Sequence, residues 1–185
     1  MRNKRLKRSF CTKPTLTVAK ELLGKYIVRK IGRKKLEGRI IETEAYIGPQ
    51  DKASHAYGGK VTPRNKAEYL IGGHIYIYLV YGMYWQLNIS TAREGEPECV
   101  LIRALDMNKL ADGPGKVCRY LKLGKSFYGE DLTKSKRIWL EDRSGLPKKI
   151  KPSQIKATAR IGIDYAGPYW SRRKWRFVLM NKERK

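Results

Sequence analysis

Apolar and polar residues alternate along most of this chain, and few stretches repeat at the three-to-four spacing of a helix. Lys25–Ile31 and Leu36–Tyr46 read as strands joined by the Gly32-Arg33-Lys34-Lys35 turn. His74–Val80 alternates strictly and is rich in aromatic and β-branched residues, so it predicts a strand. After Tyr81-Gly82-Met83, the run Tyr84–Ser90 is ready to pair back, which makes a hairpin with Tyr81 and Met83 at its tip. Glu98–Leu105 predicts the next strand, and Ala159–Tyr165 and Trp175–Met180 predict closing strands. Helical spacing marks residues 14–23, stopped by Gly24, and Val117–Leu123, and a further short helix is expected near Asn65–Leu70. Residues 48–73 are polar and rich in Gly and Pro, a loop of the length that usually carries function. Gly124–Pro152 reads as polar and loop-like around one apolar island, Ile138-Trp139-Leu140. Residues 1–12 read as a flexible basic arm. The pattern predicts a single α+β domain over residues 1–185: a mostly antiparallel, curved β-sheet with short flanking helices and a protruding β-hairpin.

Charge narrows the partner. Forty-one Lys and Arg stand against 17 Asp and Glu, for a formal net charge of +24. The excess is spread along the chain, which makes nucleic acid the leading partner class and an anionic membrane surface the second. Cys11, Cys99 and Cys118 are odd in number and lack CxxC spacing, and the chain has only two histidines, His55 and His74. That composition predicts neither a disulfide framework nor a metal site, and it fits a reducing intracellular compartment. No apolar run approaches a membrane span, and no hydrophobic segment follows the basic start. The expectation is an intracellular protein (bacterial cytoplasm or nucleoid, or a nucleus), monomeric and without a cofactor.

Against that background two acids stand out. In a strand over 38–48, Ile40, Glu42, Glu44 and Tyr46 share one face. Carboxylates facing a polyanion repel it, so their use is either chemical, holding a water or stabilising a cation, or as surface partners for nearby bases. Arg103, flanked by apolar residues, is either buried with a partner or directed into a cleft. Tyr76, Tyr78, Tyr81 and Tyr84 crowd one hairpin, with Tyr46 and His55 upstream. Such a cluster either belongs to a core or sandwiches a planar base, and an exposed Tyr at a tight turn can wedge into a base stack. Gly113-Pro114-Gly115-Lys116 lacks nucleotide-loop spacing. A polyanion binder with a wedge, an aromatic cluster and a carboxylate suits base extrusion and attack at the sugar, through a cation-like transition state. A basic nucleic-acid-binding protein without catalysis is the alternative. A small glycoside hydrolase using Glu42 and Glu44 is a third reading, and it leaves the charge unexplained.

The ordered segments 38–49, 51–60, Thr62-Pro63-Arg64-Asn65, 76–83, 87–90, 100–105, 113–118 and 160–167 resemble the alkyladenine (3-methyladenine) DNA glycosylase family. The likeness covers roughly residues 14 to 180. It implies a monofunctional base-excision repair enzyme that flips alkylated purines out of double-stranded DNA and hydrolyses the N-glycosidic bond, without lyase activity. Under the resemblance, Glu44 activates the water and Arg103 helps hold it. Tyr46 and Tyr78 stack on the base, with His55 on the opposite side. Asn88 lines the pocket floor and screens purines, and Ala45 and His55 offer backbone contacts. Tyr81, with Met83 beside it, fills the gap in the duplex, and Glu42 is a structural partner.

Overall fold

The computed structural model describes residues 4–107, 111–143 and 150–180. In chain order the regular elements are β1 (Lys4–Arg5), α1 (Arg8–Cys11), α2 (Thr15–Glu21), β2 (Tyr26–Ile31), β3 (Lys34–Ile47), β4 (Ile75–Val80) and β5 (Tyr84–Ser90). They continue as β6 (Glu98–Asp106), β7 (Ala111–Asp112), α3 (Pro114–Leu121), β8 (Ile138–Asp142), β9 (Ile155–Thr158), α4 (Gly167–Ser171) and β10 (Arg176–Leu179). Short 3-10 turns punctuate the loops, among them Tyr57–Gly59, Lys66–Tyr69 and Asp164–Ala166. Among the described residues, no helix is long and apolar enough to cross a membrane.

One antiparallel sheet organises the molecule in the order β1-β8-β2-β3-β6-β5-β4, with β10 added on β3 and β9 on β10. The α+β architecture predicted from alternation is the one observed. Its centre is β3, long enough to serve three partners. Residues 34–39 pair with β2, residues 42–44 of the same strand pair with β10, and the opposite edge runs along β6. The register between β3 and β6 shifts on either side of Glu42. Such an irregularity bends a strand and re-aims its side chains. Accordingly, Ile40 lies in the main hydrophobic core beside Ala45, while Glu44 and Tyr46 turn to the other side. The expected common face of Ile40, Glu42, Glu44 and Tyr46 therefore begins only at Glu42.

The core lies between this sheet and two helices. Val117, Cys118 and Leu121 give α3 a fully buried face against β5 and β6, and Val18, Ala19 and Leu22 give α2 one against β3 and β6. The Thr43 hydroxyl donates to Ala19 O at 2.8 Å, tying α2 to the strand position next to Glu44. All three cysteines are free and buried.

Three expectations need correction. Residues 4–12 are not a loose arm: β1 pairs with β8, Arg8 pairs with Asp131 at 2.6 Å, and Cys11 is 1% exposed. The stretch 124–152 is not simply loop, because its apolar island becomes β8, wedged between β1 and β2; residues 144–149 of it lie outside the described residues. No strand forms over 159–165. The closing strand is β9, upstream of it, because Gly162 turns the chain at φ 73° and Asp164–Ala166 winds into a 3-10 turn.

Candidate active site

Strands β3, β4, β5 and β6 and the loops 48–74 and 159–166 enclose a cleft of about 480 Å³, the size of a small planar ligand. Its wall is aromatic: Tyr46, His55, Tyr76, Tyr78, Tyr81 and Tyr165 all line it. The alternation of β4 and β5 places Tyr76, Tyr78, Gln86 and Asn88 on this side, because Tyr76 pairs with Asn88 and Tyr78 with Gln86. Asn88, 1% exposed, lies at the floor with its amide nitrogen 3.4 Å from Gln86 O. The Tyr76 and Tyr78 rings lie 5.1 Å apart, and His55 meets Tyr78 edge-on at 4.6 Å. His55 and Tyr78 are thus in direct contact, leaving no room for a ring between them.

His55 Nδ1 shares a 2.6 Å hydrogen bond with the Tyr76 hydroxyl. Part of the residue faces the open cleft, yet desolvation of the ring against the tyrosines, then the charge of Arg64, lowers its pKa to about 4. The ring is therefore neutral at neutral pH. Its loop is held by Asn65, whose amide donates to His55 O at 3.0 Å and Lys60 O at 2.8 Å, and whose carbonyl accepts from Thr62 N at 2.7 Å.

Glu44 sits beneath this wall with no exposed surface. Its Oε1 accepts from the Ile161 backbone N–H at 2.9 Å and lies 3.4 Å from Arg103 Nη1. Its Oε2 accepts from the Tyr46 hydroxyl at 2.9 Å. Burial raises the pKa of the carboxyl, opposed by Arg103, the Ile161 amide and the Tyr46 hydroxyl. Arg103 is itself positioned: its Nε donates to Glu42 Oε1 at 2.9 Å, and the same oxygen takes Arg176 Nε at 2.6 Å. Glu42 is the strut and Glu44 the enclosed acid, two adjacent alternate positions separated by environment.

Tyr46 is fixed from behind. The Arg160 guanidinium lies 4.7 Å from its ring and forms a fully buried pair with Asp51 at 2.5 Å. Arg160 also donates to Ala45 O at 2.9 Å, while Asp51 accepts from Ala53 N at 3.0 Å. One buried pair thus joins β3, the 48–74 loop and the 159–166 loop.

At the hairpin tip, Tyr81 and Gly82 both have positive φ, 52° and 70°, and Met83 N donates back to Val80 O at 3.1 Å. Positive φ at both central residues is the hairpin turn whose twist matches its strands. Tyr81 is 86% exposed and Met83 65% exposed. A bulky residue in the left-handed region costs roughly 1–2 kcal/mol, strain of the kind that gathers at functional positions.

The cleft wall carries segments from across the whole chain, and the chain-wide comparison agrees with that extent: residues 9–183 match the profile of methylpurine-DNA glycosylase (MPG). The chain belongs to the methylpurine-DNA glycosylase family. A mouse DNA-3-methyladenine glycosylase is 38% identical over 201 residues, covering 95% of this chain and 59% of the mouse protein. The human DNA-3-methyladenine glycosylase is 36% identical over 201 residues, 95% of this chain and 65% of the human one. A protein of Desulfitobacterium hafniense, assigned the same activity provisionally by its name, is 40% identical over 204 residues, 97% of either chain. The chain thus spans less than two thirds of the mammalian relatives and nearly all of the bacterial one.

Within this glycosylase family member, Arg103, Tyr46, His55, Tyr78, Asn88 and Tyr81 line one cleft, and Glu44 lies just behind its wall in contact with Tyr46, Arg103 and the Ile161 amide. Met83 stands at the tip outside the lining. Ala45 is a correction: it is fully buried in the core, its N–H donates to Trp175 O and its carbonyl accepts from Arg160, so its backbone has nothing to offer a base. Ala53 lines the cleft instead, as do Glu68, Cys99 and Ile161, Gly162 and Ile163, none of which sequence reasoning assigned. The segment 160–167 had been matched, but nothing local marks the Ile161 amide as a carboxylate partner.

Proposed function

We propose that this chain is a monofunctional glycosylase of base-excision repair, which draws an alkylated purine from duplex DNA and cleaves its N-glycosidic bond with water activated by Glu44. The observation that carries the reading is the enclosed carboxylate of Glu44, held by Arg103, the Ile161 amide and the Tyr46 hydroxyl under an aromatic cleft.

The flipped purine stacks between the Tyr46 ring and the Tyr78–His55 pair, since the latter two are already in contact. Asn88 and Ala53 meet its edges at the floor and side. Glu44 Oε2 keeps one acceptor position after the Tyr46 hydroxyl, and it takes the water when base entry loosens that bond. Water oxygen bonds to the sugar carbon, its proton passes to Glu44, and the base leaves with the electrons of the broken bond. Arg103 favours the ionised form of Glu44 against the effect of burial, and the carboxylate stabilises the cationic sugar during the step. Alkylated purines carry positive charge and depart as neutral bases. Tyr81, presented on the strained tip, occupies the vacated duplex position. No lysine lines the cleft, so the lyase reaction has no amine nucleophile there among the described residues.

The test is release of 3-methyladenine from alkylated duplex DNA by wild type and Glu44→Gln. Release should drop by about 10²–10⁴-fold or more in the variant, with DNA affinity retained. Equal release by both proteins overturns the role of Glu44. Salt-sensitive DNA binding with no release by the wild type supports the non-catalytic binder.

A further inference from the structure

The carboxyl that lines the cleft itself has no part in the chemistry above. Glu68 stands on the 3-10 turn Lys66–Tyr69, 1% exposed, among Tyr76, Asn88 and Cys99 in the cleft lining. Its Oε1 accepts from the Cys99 thiol at 3.3 Å, and its Oε2 is buried with no hydrogen-bond partner. The turn is anchored, because Ala67 N donates to the Tyr128 hydroxyl at 2.8 Å and Asn65 knits the preceding loop. The carboxyl is therefore held in place, yet it caps nothing and bridges nothing.

Its lack of a counter-ion sets it apart. Glu42, Glu44 and Asp51 each face an arginine, whereas no Lys, Arg or His among the described residues pairs with Glu68. A buried carboxylate without a cation is expensive, and one aimed into a binding cleft is relieved when the ligand brings the cation. Glu44 cannot take that part, since Arg103 already balances it.

We infer that Glu68 is the counter-charge for a positively charged purine held in the aromatic cleft, and that it sets the preference for cationic over neutral damaged bases. The inference rests on the glycosylase reading for its ligand. The tyrosine faces attract any cationic ring weakly, and Glu68 adds a full charge at its edge. Burial lifts the Glu68 carboxyl to about 7, so both of its forms are present near neutrality. A cationic purine draws the group to carboxylate. A neutral purine offers it no charge.

The experiment compares wild type, Glu68→Gln and Glu68→Asp in single-turnover release of 3-methyladenine from methylated duplex and of hypoxanthine from a deoxyinosine duplex. The ratio of cationic to neutral release should fall about tenfold or more in Glu68→Gln and stay nearer wild type in Glu68→Asp, which keeps the charge. In the wild type alone, that ratio should also fall as pH drops through about 7. An unchanged ratio, including an equal loss on both bases, overturns the inference; so does a larger loss on hypoxanthine, which would make Glu68 a proton donor to neutral bases. If the wild type releases neither base, the glycosylase reading fails separately. Binding of duplexes with 2′-fluorinated 7-methylguanine or hypoxanthine, which resist hydrolysis, then decides Glu68: a preference for the charged duplex that Glu68→Gln loses sustains it, and equal affinities overturn it.

Discussion

The Tyr46 hydroxyl donates to the buried Glu44 carboxyl, and the proposed reaction makes that bond a determinant of its pH dependence. Burial raises the Glu44 carboxyl, and the Tyr46 hydroxyl is one of three groups holding it down. In the proposed reaction the Glu44 carboxyl must be ionised to take a proton from water, so base release should rise with pH along a limb displaced upward from the ordinary value of the group. Tyr46→Phe removes one donor, and the limb in kcat/KM should move to higher pH while the maximal rate falls modestly; a pH–rate profile of both proteins checks it. His55, neutral down to about 4, adds no limb near its usual value. The residue types of this site were legible from the chain. Their partners were less so: Ala45 was tied to the base only through the family resemblance, whereas alternation already sets it opposite Glu44 and Tyr46, in the core; what alternation misplaced is Ile40, because the register shift on either side of Glu42 breaks the count.

Among elements, the β4–β5 hairpin was the most legible. Strict alternation, a Tyr-Gly turn and aromatic density all point to the same structure, and the cross-strand pairs follow from it. The tip stores strain that packing does not need, since Tyr81 is almost wholly exposed. Tyr81→Gly should therefore melt no lower than wild type, by thermal denaturation, yet bind a damaged duplex about tenfold or more weakly by titration. A variant that unfolds would place Tyr81 in the core instead. The 48–74 and 159–166 loops were less legible. Their order comes from polar contacts, Asn65 to His55 O within the first loop and the buried Arg160 to Asp51 pair that joins the two loops across the chain. Hydrophobic period carries no record of such contacts, so 159–165 read as a strand.

For the whole molecule, charge is the governing quantity. Arg103, Arg143, Arg160 and Arg176 are engaged with acids inside or beside the sheet, while Lys52, Lys60, Arg64 and Lys66 stand exposed on the loop that borders the cleft. A net charge of +24 displayed this way predicts binding dominated by phosphate contacts. Affinity for duplex DNA should fall roughly 10³-fold or more between about 50 and about 200 mM salt, and a log–log plot of binding against salt checks it. A flat plot would argue against DNA as the partner.

The sequence by itself determined the strand order of the hairpins, the tyrosine at their tip, the acid on the central strand and the charge that points to a polyanionic partner. Each of these is written in near neighbours or in summed charge. Only the tertiary structure decided which acid is enclosed, that Arg103 and the Ile161 amide meet on Glu44, that Asp51 and Arg160 lock Tyr46, and that Glu68 faces the cleft unpaired. Those facts depend on long-range register and on which groups lose their water, and neither is set by residues adjacent in the chain.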